Sequence, residues 1–205
     1  MKGSHSEPIV PKNQLTLTSH EIRYLKFSWE MASSNIDVGC ELVARLLNDS
    51  RTRFRALIES HSGDMLGSEI FTAESVKKIR RARSVGEGVV AFFSQIVSEL
   101  DQPNALDLIK LQSQSLGASH FRMKVWFQAE NWLCVKNCLL ETIISGLSVK
   151  KKTPPFCGTS LAMNTKRCRD IWYRVIHYVI HNMKQGFLAE ALSADTCSRS
   201  STRSE

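Results

Sequence analysis

The sequence contains no apolar run as long as the roughly 18 residues that a transmembrane helix needs. The stretch behind Met1 lacks the apolar segment of a secretory signal, and a glycine stands at position 3 rather than position 2, so an N-myristoylation signal is absent as well. We therefore expect a cytoplasmic protein without a membrane anchor.

Familiar catalytic arrangements are also missing. The 10 glycines of the chain form no phosphate-binding loop, and no Ser-His-Asp or Cys-His arrangement is visible. These absences favour a binding protein over an enzyme.

The six cysteines are scattered and include neither a C-x-x-C pair nor the spacing of a zinc site. Cys134 and Cys138 lie one helical turn apart within an apolar helical pattern, and we interpret them as buried, reduced thiols. Unpaired cysteines of this kind are typical of a reducing compartment inside the cell.

The net charge of +7 is modest for a nucleic-acid-binding protein, and no such partner is expected. The positive charge is concentrated in one run: Lys77, Lys78, Arg80, Arg81 and Arg83. This run is the best candidate for contact with an anionic partner, but the favoured interpretation is a solvated helix face. Like charges this close destabilise a helix, so nearby acids such as Glu69 and Glu74 could offset them.

Apolar residues recur at spacings of three and four throughout the chain, and no segment alternates with a period of two, so the sequence predicts an all-α protein. With 205 residues and 42% apolar content, one domain with tails is expected. We place a flexible tail at 1–15, the domain at 16–192 and a second disordered tail at 193–205. Within the domain, one long helix is predicted from about 72 to 100 and a loop over 148–168.

His120 is the most informative single residue. It closes the run Leu116-Gly117-Ala118-Ser119-His120, and an apolar-periodic stretch from Trp132 to Leu147 follows about a dozen residues later. A histidine at the end of one helix, facing the start of another, can hold an iron ion through one ring nitrogen, and neutral imidazole is a common axial ligand of haem.

Four stretches extend this observation to the whole chain. They are the layout Leu17-Thr18, Glu21-Ile22, Leu25 and Ser28-Trp29; the helix GEGVVAFFSQIVSELD at 86–101; the block LGASHFRMKVWF at 116–127; and the final DIWYRVIHYVIHNMKQGF at 170–187. In this order and spacing, the chain from 17 to 190 resembles the globin family, and specifically the divergent globins of nematodes.

The resemblance implies a globin-like fold of about seven or eight helices that holds haem b between a distal and a proximal helix. It also implies that His120 is the proximal iron ligand and that a diatomic gas such as O₂, CO or NO binds on the other side. The second ring nitrogen of His120 should donate a hydrogen bond, which sets the tautomer, and either the Leu116 carbonyl or the Ser119 hydroxyl could accept it. A haem propionate would be a further anion for the basic run.

On the distal side the chain departs from the common pattern. Aligning Leu100-Asp101 with the end of the family's distal helix puts Val85 where a distal histidine or glutamine usually stands, with Val89 and Phe93 one and two turns later. Phe93 could equally be ordinary core. A shift of one turn would place Arg81 there instead. Valine can neither donate a hydrogen bond nor act as a sixth ligand, so we predict a five-coordinate ferrous haem.

Three further pocket residues follow from the resemblance. Phe54 is the candidate for the phenylalanine that wedges the haem, with Leu57 as the alternative, and Val125 and Trp132 match apolar positions on the proximal side. The role would be oxygen binding or transport, sensing or redox signalling. The competing hypothesis is an interaction protein with the globin fold but without haem, which works through the basic run at 77–83.

Overall fold

Eight α-helices and no β-strand make up the part of the chain that the computed structural model describes, namely residues 15–62, 66–67, 69–125, 129–148 and 164–201. The helices are α1 (Ser19–Asn35), α2 (Val38–Asn48), α3 (Phe54–Ser62), α4 (Ala73–Lys78), α5 (Arg80–Glu99), α6 (Ala105–Arg122), α7 (Ala129–Ser148) and α8 (Thr165–Ser201). The all-α prediction is confirmed.

The first helix begins where its sequence predicts. The Thr18 hydroxyl accepts a hydrogen bond from the Glu21 N–H at 3.2 Å, and the Glu21 carboxylate accepts one from the Thr18 N–H at 2.9 Å. This reciprocal pair satisfies two N–H groups that the first turn of a helix leaves without partners. The capping box therefore fixes where α1 begins, and the apolar side of the helix faces the core.

The single helix predicted from 72 to 100 is wrong at Ile79, where the backbone is extended and separates α4 from α5. Ile79 serves both helices, because its N–H donates to the Val76 carbonyl at 3.0 Å and its carbonyl accepts from the Arg83 N–H at 2.9 Å. The interruption falls inside the run of like charges, where a continuous helix is weakest.

Two tryptophans and a phenylalanine join α1, α5 and α8 at the centre of the main core. The rings of Trp29 and Phe93 lie 6.1 Å apart, and those of Trp29 and Trp172 lie 5.7 Å apart. The buried indole N–H of Trp172 donates to the Ser28 hydroxyl at 2.8 Å, and that of Trp29 donates to Ser94 at 3.0 Å. The large buried rings thus carry no unsatisfied donor, as a stable core requires.

Glycine pairs permit two close helix crossings. A Cβ atom added at Gly86 would lie 2.7 Å from the Gly39 backbone, so α2 and α5 touch through their main chains. At the second crossing, Cβ atoms at Gly117 of α6 and Gly186 of α8 would overlap the carbonyl oxygens of Met183 and Gln114. Only glycine allows such an approach, at the cost of its low helix propensity.

Both ends of α8 extend beyond the bounds predicted from the sequence. α8 begins at Thr165, inside the loop predicted over 148–168, and continues to Ser201, across most of the segment expected to be a C-terminal tail. The expected N-terminal tail lies outside the described residues except for Leu15, which is buried in the main core. Among the helices described, none is at once long and apolar enough to cross a membrane.

Candidate functional site

The imidazole of His120 lies in the last turn of α6 and is oriented by its own helix. Its Nδ1 lies 2.8 Å from the carbonyl oxygen of Leu116, one turn earlier. Because a carbonyl only accepts, Nδ1 must carry the proton, and the lone pair of the ring is on Nε2. Of the two acceptors considered from the sequence, the structure selects the Leu116 carbonyl; the Ser119 hydroxyl instead accepts from Arg122 at 3.1 Å.

Burial lowers the pKa of His120 below its ordinary value, although the hydrogen bond to the Leu116 carbonyl acts in the opposite direction. The imidazole is therefore neutral at pH 7. A neutral ring with one nitrogen hydrogen-bonded and the other carrying a lone pair is the form in which histidine binds a metal.

The position of His120 is fixed by the crossing of α6 with α8. Gly117, one turn before it, contacts α8 directly, and the rings of Phe121 and Phe187 meet edge to face at 5.4 Å. After the histidine, Lys124 takes a positive φ of 58°, which is uncommon for a residue other than glycine. Its turn brings the Val125 N–H to the His120 carbonyl at 2.9 Å.

Val85 and Val89 lie on α5, whose register is fixed by the adjacent Gly86 at the α2 crossing. Both side chains are half-buried: Val85 packs against the smaller core of α2, α3 and α4, and Val89 packs against the main core. α5 packs chiefly on α2, whereas α6 packs chiefly on α8, so these two consecutive helices make few contacts with each other among the described residues.

Three other predicted pocket residues are buried in the main core. Phe93 is 5% exposed and lies between Trp29 and Trp172, which supports the view that it is ordinary core. Trp132 is buried on α7 with the Lys184 ammonium 5.8 Å from its ring centroid. Phe54 is buried at the start of α3, while its alternative, Leu57, is partly exposed.

The basic run is split between two helices, and only part of it is paired. The Lys77 ammonium lies 2.7 Å from Glu74 and 3.8 Å from Asp37, and Arg83 lies 3.5 Å from Glu87. Glu74 thus offsets the charge as expected. Arg81 differs, because its Nε is buried and has no hydrogen-bond partner among the described residues. A buried guanidinium nitrogen without an acceptor is costly, so this position suits an added anion.

One cluster of two thiols and a carboxylate was missed from the sequence. The Cys134 thiol donates to Asp49 Oδ2 at 3.1 Å, and the sulfurs of Cys134 and Cys138 lie 3.6 Å apart. The two cysteines could be paired from their helical spacing, but no sequence signal links them to Asp49, which is 85 positions away.

Two further features lie apart from His120. A groove of about 670 Å³ runs between the start of α6, the middle of α8 and the segment before α1, and its lining includes Tyr178 and His181 but not His120. His177 and His181 lie one turn apart on α8: His177 stacks on Tyr173 with the ring centroids 6.0 Å apart, and His181 Nε2 lies 3.0 Å from the side-chain nitrogen of Gln185.

Comparison with known proteins relates the chain by structure and not by sequence. No protein-family model matches it, and no curated protein matches it in sequence. A hexacoordinate haemoglobin of Drosophila melanogaster, solved in work on cyanide binding and conformational transitions of the haem cavity, superposes with a TM-score of 0.58 at 16% identity, covering 82% of this chain and 93% of that one.

A hexacoordinated haem protein from an anhydrobiotic tardigrade, solved at pH 4, superposes with a TM-score of 0.59 at 18% identity, covering 89% of this chain and 99% of that one. The chain therefore has the globin fold. The narrower resemblance to nematode globins stays a prediction, since these two structures come from other animals.

Proposed function

We propose that the chain is a haem-binding globin whose iron binds a diatomic gas such as O₂, CO or NO. The observation that carries the proposal is the hydrogen bond from His120 Nδ1 to the Leu116 carbonyl at 2.8 Å. It presents a neutral imidazole with its lone pair on Nε2 at the end of a helix of the globin fold. The haem proteins among the structural neighbours add support at the level of the fold.

The positions of Val85 and His120 along their helices support a site between α5 and α6. The helices are joined by the short turn at 100–104, and Val85 precedes Leu100 by as many residues as His120 follows Ala105. At the rise of an α-helix, both lie about 22 Å from the turn. Because α5 and α6 make few contacts with each other, residues at the same distance from the turn on the two helices can face a common slot. A flat cofactor requires such a slot.

Haem supplies the iron at which a diatomic gas binds. The chain would hold it through His120 Nε2 and through apolar side chains on both helices, and Arg81, with its unpartnered buried Nε, would pair with a haem carboxylate. An ion pair at this point would satisfy a donor that the described residues leave without an acceptor.

We propose the coordination number of the iron from the chemistry of two residues on α5. Val85 and Val89 carry no donor atom, so neither can act as a sixth ligand, and we propose a five-coordinate ferrous iron. The two structural neighbours are described as hexacoordinate, but at 16% and 18% identity they share only the fold with this chain. Because Val85 cannot donate a hydrogen bond to a bound gas, sensing or redox signalling is favoured over storage.

The test is an absorption spectrum of the haem-reconstituted protein in the ferric form, the dithionite-reduced form and the reduced form with CO. We expect a Soret band and one broad visible band in the ferrous form. The substitution His120→Ala should abolish stable haem binding, because it removes the iron ligand. His177→Ala, at an exposed histidine of α8, should leave the spectrum unchanged.

Two results would contradict this assignment. If His120→Ala keeps a wild-type Soret band, another residue holds the iron. If the wild type shows no Soret band at all, the haem-free interaction protein becomes the better hypothesis, and binding to an anionic partner should then depend on Arg80 and Arg81.

A further inference from the structure

The structure assigns a second metal site to this chain: we propose that Cys134, Cys138 and Asp49 bind one thiophilic divalent cation of the zinc class. This site does not involve His120 and does not depend on the presence of haem. Its three donor atoms all lie within 4.8 Å of one another.

The spacing of the donor atoms matches a tetrahedral zinc ion. Two sulfurs about 2.3 Å from such an ion lie about 3.8 Å apart, and a sulfur and a carboxylate oxygen lie about 3.5 Å apart. The observed separations are 3.6 Å between the two sulfurs and 3.1 Å between Cys134 Sγ and Asp49 Oδ2. Shifts of a few tenths of an ångström would bring these two separations to the tetrahedral values, and the third, between Cys138 Sγ and the carboxylate, is within 4.8 Å.

Two separate elements build the site, so it is pre-formed by the fold. Cys134 and Cys138 are one turn apart on α7, and Asp49 caps the end of α2, where its own N–H donates to the Leu46 carbonyl. Cys134 is buried, whereas Cys138 and Asp49 are only half-buried. The half-buried side gives an ion a path of entry, and a water molecule there would complete the tetrahedron.

Arg51 positions the carboxylate. Its Nε lies 2.9 Å from Asp49 Oδ1, and its terminal nitrogen lies 2.6 Å from Oδ2. If Oδ2 turns to the metal, Oδ1 keeps the guanidinium, which is the arrangement in which ligating carboxylates are themselves hydrogen-bonded. Two thiolates and a carboxylate balance the charges of one divalent cation and Arg51, and the two thiol protons leave to solvent as the metal binds.

The site also has a structural consequence. Asp49 opens the turn that leads to α3 and the buried Phe54, and α7 packs against both α2 and α8. A metal ion shared by the turn and α7 would cross-link elements far apart in sequence.

The experiment uses the full-length protein as purified, incubated with zinc and a phosphine reductant and then dialysed against metal-free buffer. We expect about one zinc ion per chain by elemental analysis and two sulfur neighbours at about 2.3 Å in X-ray absorption. Cys138→Ala should remove that equivalent, and Asp49→Asn should weaken zinc affinity by about tenfold or more.

Cys40→Ala is the matched control, because Cys40 is a buried thiol beside a carboxylate, that of Asp37, but has no second thiol near it among the described residues. It should retain zinc as the wild type does. Cys138 is half-buried, so the Cys138→Ala protein should keep its helical circular dichroism even where Cys134→Ala fails to fold. The proposal is overturned if the wild type retains no zinc, if Cys138→Ala retains as much as the wild type, or if the absorption data contain no sulfur shell.

Discussion

At the scale of single residues, we propose that Val85 determines what the iron can bind on its distal side. The residue is half-buried on α5, next to the glycine that fixes the register of that helix against α2. Replacing Val85 with histidine would supply a donor atom where the chain has none. We expect Val85→His to give a ferrous spectrum with two sharp visible bands in the absence of added ligand, which is the mark of a sixth ligand.

Ser84→His is the control, because Ser84 is the neighbouring residue on the exposed side of α5. Its ferrous spectrum should keep a single broad band. If both variants keep the broad band, Val85 does not face the iron, and the register shifted by one turn, with Arg81 in the distal position, becomes the better assignment.

At the scale of helices, the crossing of α6 and α8 holds the candidate iron ligand in place. A Cβ atom at Gly117 would overlap the Met183 carbonyl oxygen, which belongs to the main chain of α8 and cannot move aside as a flexible side chain could. Gly117→Ala must push the two helices apart, so we expect a loss of about 3 kcal/mol in the free energy of unfolding. Urea denaturation followed by circular dichroism measures this loss.

For Gly88→Ala, on α5, we expect the opposite change in the free energy of unfolding. Nothing lies within 4 Å of a Cβ atom added at Gly88, so alanine there should stabilise the protein by up to about 1 kcal/mol through its higher helix propensity. Equal effects of the two substitutions would mean that the α6–α8 crossing tolerates separation and does not fix His120.

The same helices mark how far the sequence predicts the structure. The cap at Thr18 and the helical periods depend on residues within one or two turns of each other, so they can be predicted locally. For His120 the sequence left two acceptors open, the Leu116 carbonyl and the Ser119 hydroxyl, and the structure has the first. The extended Ile79 was not predicted, because the apolar pattern continues through it and the run of like charges around it weakens a helix without marking the residue at which the helix ends.

At the scale of the whole molecule, contacts between segments distant in sequence could not be predicted from the sequence alone. Phe93 has the spacing of a pocket residue, but its burial between Trp29 and Trp172 depends on how α1 and α8 pack. Asp49 likewise becomes a partner of Cys134 only because the end of α2 meets α7. Helical period gives the side of a helix that is apolar, but not which other helix covers it.

An ion pair between α1 and α8 allows a test of how the stability of the fold responds to acid. The Arg174 guanidinium of α8 contacts the Glu21 carboxylate of α1 and also donates to the Thr16 carbonyl at 2.9 Å. Burial alone would raise the pKa of Glu21, but hydrogen bonds from the Thr18 N–H and from Arg174 outweigh it and lower that pKa below its ordinary value. The pair therefore contributes its full stability above the ordinary glutamate pKa and loses it as the pH falls through the lowered value.

We expect Arg174→Met to cost about 1 kcal/mol of unfolding free energy at pH 7 and less at pH 3, which lies below the ordinary glutamate pKa and so on the side where the contribution of the charged pair falls with pH. A cost that does not change with pH belongs to the hydrogen bond with the Thr16 carbonyl. Arg23→Met, at an exposed arginine of α1 without an ion pair among the described residues, should change stability little at either pH. Urea denaturation of the wild type, Arg174→Met and Arg23→Met at both pH values measures these costs. An equal cost of Arg174→Met at pH 7 and pH 3 would mean that the charge of Glu21 does not contribute to the contact between α1 and α8.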